Sequence, residues 1–144
     1  MLTLHVFSTK QDKMVRGKKI FFVFSIDYQL ISHRRKLIEA VLKAGNDVTV
    51  VAQDTGYADA IRQMGCKFIN LPINRVGTNI REELKTYRFL KKLYRKEKPD
   101  IIHHVSLKVA LWGGLAAKRV GAHGVVNAIN GLGVFFGTGK ADTW

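Results

Sequence analysis

The sequence is poor in cysteine, in acidic residues and in long apolar runs. A single cysteine, Cys66, excludes an internal disulfide framework and a cysteine-rich zinc site. The longest uninterrupted apolar stretch, Ile20 to Phe24, falls far short of the ~18 residues of a membrane-spanning helix. Met1 to Phe7 has no basic segment, and His5 breaks its short apolar pattern, so no secretory leader is indicated. These absences predict a reduced, cytoplasmic setting. The shortage of acid is the unusual feature. Eleven Asp and Glu face 24 Lys and Arg, a formal net charge of +13 over 144 residues. Such an excess calls for an anionic partner: a nucleic acid, an acidic membrane surface or a phosphorylated ligand. The composition, 47% hydrophobic and 24% charged, is otherwise that of one globular domain and argues against long-range disorder.

What is present is a regular alternation. Residues 1–17 read as a basic extension, expected to be disordered. From there, continuous apolar runs of strand length alternate with segments of helical period. The strands are expected at Ile20 to Ser25, Asp47 to Ala52, Lys67 to Leu71, Ile101 to Val105 and Gly124 to Ile129. The helices are expected after a Ser32 cap, at Tyr57 to Met64, at Ile80 to Lys96 and at Lys108 to Val120. Pro99 blocks extension of the longest one. Strands joined by single helices imply a parallel sheet with right-handed crossovers, a Rossmann-like α/β fold with helices on both faces.

In an open parallel sheet, ligands bind beyond the carboxyl ends of the strands. Those loops lack the familiar nucleotide fingerprints. The first contains no glycine, Phe136 stands where a third glycine would be needed after Gly131 and Gly133, and Ala141 replaces the Ser/Thr of a phosphate loop. A dinucleotide-dependent enzyme and a P-loop NTPase are excluded on that basis. The loops do carry polar and ionisable residues. Ser32, His33 and Arg34 open the first helix, where a bound anion would offset basic side chains at a positive helix end. A solvated basic first turn is the plain alternative. His103 and His104 end the fourth strand and, by alternation, lie on opposite faces, so they cannot share a metal. One of them, with Ser106 and Lys108, is placed in the crevice. Lys108 suits a phosphate or a sugar hydroxyl, and His104 is the weaker candidate. Asn130, Gly131 and Gly133 follow the fifth strand, where glycine permits close approach of a ligand to the backbone.

The longest helix has two stripes. Ile80, Leu84, Tyr87, Leu90 and Tyr94 form an apolar row expected to pack on the sheet. Arg81, Lys85, Arg88, Lys92 and Arg95 form a basic row expected to face outward, with Phe89 and Leu93 between them as exposed apolar neighbours. From Arg81 to Lys98 eight basic residues meet three acidic ones, a ratio that suits an anionic membrane surface.

Several stretches together resemble the N-terminal domain of family 4 glycosyltransferases of the GT-B type, in the subgroup that builds glycans on lipid carriers. They are Ser32–Arg34 before a helix ending in Ala44–Gly45, the run Asn46 to Ala52, Pro99 to His104, Lys108 with the downstream Gly113 to Gly121, and Val125 to Phe136. The sequence is similar there to bacillosamine-linked N-acetylgalactosaminyltransferases. The resemblance spans residues 18–137 and implies the acceptor-side half of a two-domain enzyme, peripheral on the inner face of the membrane. It implies retaining transfer from a UDP-sugar to a polyprenyl-diphosphate-linked sugar, with no metal and no cofactor. Ser32, His33, Arg34, His104, Ser106, Lys108, Asn130, Gly131 and Gly133 would contact substrate, and Arg81, Lys85, Arg88, Lys92 and Arg95 would face the membrane. Residues 138–144 do not resemble the family. The second, donor-binding domain has no counterpart, so the chain is expected to be a truncated form, inactive alone. The competing expectation from charge is a basic nucleic-acid-binding module. No helix-turn-helix, zinc-finger or RNP signature supports it, and no specific nucleic acid is expected. A flavodoxin-like domain without chemistry is the third.

Overall fold

The structure, a computed structural model, describes residues 16–74, 77 and 79–128. Strand β1 (Lys19–Ile26) is the apolar run predicted from sequence, lengthened by a residue at each end. It is followed by a helical segment with a π turn at Leu30–Arg34 that runs into α1 (Arg35–Lys43). Then come β2 (Asp47–Gln53), α2 (Ala58–Gln63), β3 (Lys67–Asn70), α3 (Ile80–Glu97), β4 (Ile101–Val105), α4 (Leu107–Arg119) and β5 (Gly124–Ala128). Every pairing is parallel, and the strand order is β3-β2-β1-β4-β5. The expected Rossmann-like α/β architecture is therefore present.

Strand β1 lies at the centre because both its faces are apolar. Phe22 and Phe24 join Val48, Val50, Ile38, Val41 and Ile61 in a core beneath α1 and α2. Phe21 and Val23 join Ile102, Leu90, Tyr94, Val109 and Ala116 in a second core beneath α3 and α4. Helices leave the adjacent strands β1 and β4 to opposite faces. That divergence opens a crevice between their carboxyl ends.

Two local expectations are corrected. Ser32 is not an N-cap. The helix already begins at Tyr28, because the Asp27 carbonyl accepts from Leu30 N–H directly after the strand. Ser32 lies a full turn inside and donates to the Tyr28 carbonyl at 2.9 Å. The start of α3 also departs from expectation. Ile80 and Leu84 are exposed, while Glu83 and Thr86 are buried beside Leu90 and Tyr94. The first turns overhang a polar loop rather than the sheet. Thr86 Oγ1 donates to the Pro72 carbonyl at 2.7 Å, and Glu83 meets α4. Phe89 and Leu93 are half-buried and pack on the second core instead of standing exposed.

Helix α4 approaches β4 closely enough that Gly113 touches the His104 ring; an added Cβ would overlap its Cδ2 and Nε2 atoms. At the neighbouring Gly114 the nearest atom would be 3.9 Å away. Gly113→Ala is therefore expected to cost about 1–3 kcal/mol. Gly114→Ala should be neutral, or stabilising by up to about 1 kcal/mol through helix propensity. Denaturant titration of the two variants checks the contrast.

Candidate functional site

The carboxyl edge of the sheet is organised by buried polar side chains. Asp27, at the end of β1, is fully buried. Its carboxylate accepts from Thr55 N–H at 2.9 Å, from Tyr57 N–H at 3.0 Å and from the Thr55 hydroxyl. Burial works to raise this carboxyl, but the hydrogen bonds from Thr55 and from the backbone of Tyr57 and Tyr28 outweigh it and hold it below its usual value. Asp27 thus ties the loop after β2 to the end of β1. It sets Tyr28 and Tyr57 side by side at the rim, ring centroids 5.4 Å apart and both exposed.

On the opposite face, Lys108 ties a second loop. Its ammonium donates to the carbonyls of Asn74 and Gly77 at 2.6 and 2.8 Å and to Glu83 Oε1 at 2.7 Å. An ammonium has three protons, so this set uses them all. Trp112 Nε1 donates to the other oxygen of Glu83. The lysine expected to contact phosphate in the crevice instead pins the loop before α3 onto α4.

The two histidines divide as alternation predicts. His104 lies beneath α3 and α4, fully buried, with Nδ1 at 2.8 Å from Asn127 Oδ1 and Nε2 at 2.8 Å from Tyr94 OH. The carbonyl oxygen of Asn127 can only accept, so Nδ1 carries the proton and Nε2 accepts from the tyrosine. His104 is a bridge within the core and does not face the crevice. His103 is buried on the other face, its ring 5.0 Å from that of Phe22. Burial pushes the His104 ring down to about 4. Burial, then the charges of Arg34 and His104, push His103 to about 4 as well. Arg34 is buried on the His103 side, whereas Ser32 and His33 are exposed and in contact with each other. Arg34 and Lys108 therefore lie on opposite faces and do not share one rim. Asn130, Gly131 and Gly133 fall outside the described residues. The basic row of α3, Arg81, Lys85, Arg88, Lys92 and Arg95, is exposed throughout.

Asp27, Glu83, Trp112, Tyr28 and Tyr57 were not singled out from sequence. An acid at the end of an apolar strand was a signal for Asp27. Nothing local marks Glu83, whose partners are 25 and 29 residues away. Among the described residues, no group of three or more His, Cys, Asp or Glu side chains gathers to hold a metal ion.

The sequence pattern of the glycosyl transferase 4-like family matches residues 19–143. The chain belongs to this family. No curated protein matches the sequence. Solved structures share the fold at low identity. MurG of Acinetobacter baumannii is 18% identical, with a TM-score of 0.61 over 76% of this chain and 33% of its own. A putative UDP-N-acetylglucosamine 2-epimerase from Listeria monocytogenes is 19% identical, with a TM-score of 0.60 over 77% of this chain and 31% of its own. The C-terminal domain of the PF1911 hydrogenase from Pyrococcus furiosus is 16% identical, with a TM-score of 0.58 over 79% and 92%. So varied a set shows the fold alone. This glycosyl transferase 4-like chain spans about a third of the MurG and epimerase chains, consistent with one half of a GT-B fold.

Both histidines are neutral in the folded protein, with values near 4 against an ordinary 6.5. Between those values the unfolded chain binds protons that the folded chain refuses. Stability is therefore expected to fall as pH drops from about 6.5 towards 4, by at most about 1.4 kcal/mol per pH unit for each histidine. Denaturant titrations across this range check it, and a flat profile would contradict the assignment.

Proposed function

We propose that the chain is the acceptor-side half of a glycosyltransferase, transferring a sugar from a UDP-sugar to a lipid-linked acceptor while resting on an anionic membrane. Family membership supports the transferase class. A neighbour in fold is named for UDP-N-acetylglucosamine, which favours a sugar nucleotide as donor. On this reading the donor is held by a second domain, transfer proceeds with retention, and the chain alone transfers nothing. Ser32, His33, Arg34 and Ser106 border the substrate, while Lys108 and Asp27 hold the loops that shape its site.

The observation that carries the membrane part is a single mixed patch on α3 and α4. Leu107, Leu111 and Leu115 repeat every fourth residue along α4, and all three are exposed. Leu84, Tyr87, Trp112 and Leu115 line a groove of about 480 Å³ together with Lys118 and Arg119. Exposed Ile80 and the exposed basic row belong to the same helix as Leu84 and Tyr87. Leucines set among cations are the composition of a surface that inserts apolar side chains between anionic headgroups. Among the described residues no helix is long and apolar enough to cross a membrane.

Vesicle flotation tests this. The chain is expected to float with anionic vesicles and not with neutral ones. Each reversal among Arg81→Glu, Lys85→Glu and Arg88→Glu should weaken binding about fivefold, from ~1 kcal/mol per surface cation. The Leu111→Ser/Leu115→Ser pair should remove the part that survives high salt. Equal binding to neutral vesicles, or none to anionic ones, would contradict the reading.

A further inference from the structure

Around the crevice between β1 and β4, three polar side chains keep buried atoms without hydrogen-bond partners. Arg34 is 5% exposed, and its Nε and Nη2 atoms make no hydrogen bond. His103 is fully buried with both ring nitrogens unpartnered, and the Ser106 hydroxyl is likewise buried and unpartnered. Buried polar groups are nearly always satisfied, so three together call for an explanation. The acid at the end of β1 does not supply one, because Asp27 is engaged by Thr55 and Tyr57.

Position links the three. His103 pairs with Phe22 across the β1–β4 ladder and lies in the field of Arg34. Three residues on, Ser106 follows β4 with φ at 92°, a left-handed value costly for a residue with a Cβ. It stands at the N-cap of the 13-residue helix α4, yet its side chain makes no capping bond and the first turn holds no acid. A strained residue, an uncapped helix start and a guanidinium with two unpaired nitrogens thus occur at the strand ends where ligands of such sheets bind.

We propose that Arg34, with His103 and Ser106 as neutral helpers, binds a phosphate group of the substrate in the β1–β4 crevice. Nε–H and Nη2–H lie on one side of the guanidinium and address two oxygens of an oxyanion together. The serine hydroxyl and one imidazole N–H bring the donors to four, more than the two oxygens of a carboxylate require. The chemistry is that of a diphosphate, carried either by a sugar nucleotide or by a lipid. The inference rests on the acceptor-side reading above, in which substrate enters at this edge. It assigns Arg34 to ligand rather than to fold, so the side chain is a burden to the ligand-free protein.

The test uses the full chain and two variants, Arg34→Met and Arg34→Lys, with inorganic pyrophosphate, UDP and farnesyl diphosphate as probes. Binding is measured by equilibrium dialysis at physiological and high salt, and Tm is followed with and without probe. Pyrophosphate should bind the native chain and raise its Tm. Arg34→Met should weaken that binding by at least about tenfold and raise the ligand-free Tm. Arg34→Lys, which keeps the charge but loses the fork, should also bind more weakly. Preference for farnesyl diphosphate supports the site and the acceptor-side reading, whereas preference for UDP supports the site but contradicts that reading. Binding equal in native chain and variants, no binding of any probe, or a fall in ligand-free Tm in both variants overturns the proposal. Vesicle flotation of the same proteins reports separately on the acceptor-side reading, since Arg34 lies away from α3.

Discussion

The parallel pairing of β1 with β4 is the constraint on which the rest of this structure depends. It joins the most apolar strand of the chain, Ile20 to Phe24 all fully buried, to a strand 81 residues further on, matching Phe22 with His103 and Phe24 with Val105. Because the two following helices take opposite faces, the pairing creates the crevice. It also decides which histidine meets which helix: His103 goes under α1 with Arg34, and His104 under α3 with Tyr94.

The two sides of that edge are built differently. Beneath α3 and α4 the network of Lys108, Glu83 and His104 is saturated. Lys108 has three acceptors, Glu83 has two donors, and His104 has a partner at each nitrogen. A saturated network rigidifies, and here it fixes the loop before α3 and holds the α3–α4 patch in shape. Beneath α1 Arg34 and His103 keep unsatisfied atoms, and so does the Ser106 hydroxyl at the start of α4. Stability is concentrated on one face and unspent binding capacity on the other, as expected where a site works against the fold that carries it.

The fold was legible in the sequence because it is written in local patterns: apolar strands, helical periods, and breaks at Gly45 and Pro99. The α3 surface was legible for the same reason, since Arg81 to Arg95 repeat at helical spacing and remain exposed. The site was legible only in part. Lys108 sits at the right edge of the sheet, in the first turn of α4, but its partners Asn74, Gly77 and Glu83 come from 25 to 34 residues away, and periodicity carries no trace of them. Ser32 looked like a cap because capping depends on where the helix begins, and that was decided by Asp27. The α4 leucines repeat at the same spacing as a core stripe, so only the fold shows that they face outward.

Residue-resolved hydrogen exchange of the native chain tests the central claim most directly. If the β1–β4 ladder is the base of the molecule, the amides of Phe22, Val23, Phe24, His103 and His104 should exchange slowest and share one opening free energy, equal to that of global unfolding. Exchange in β4 that is faster than in β1 and uncoupled from it would show that the two strands do not form one unit, and the crevice between them would lose its foundation.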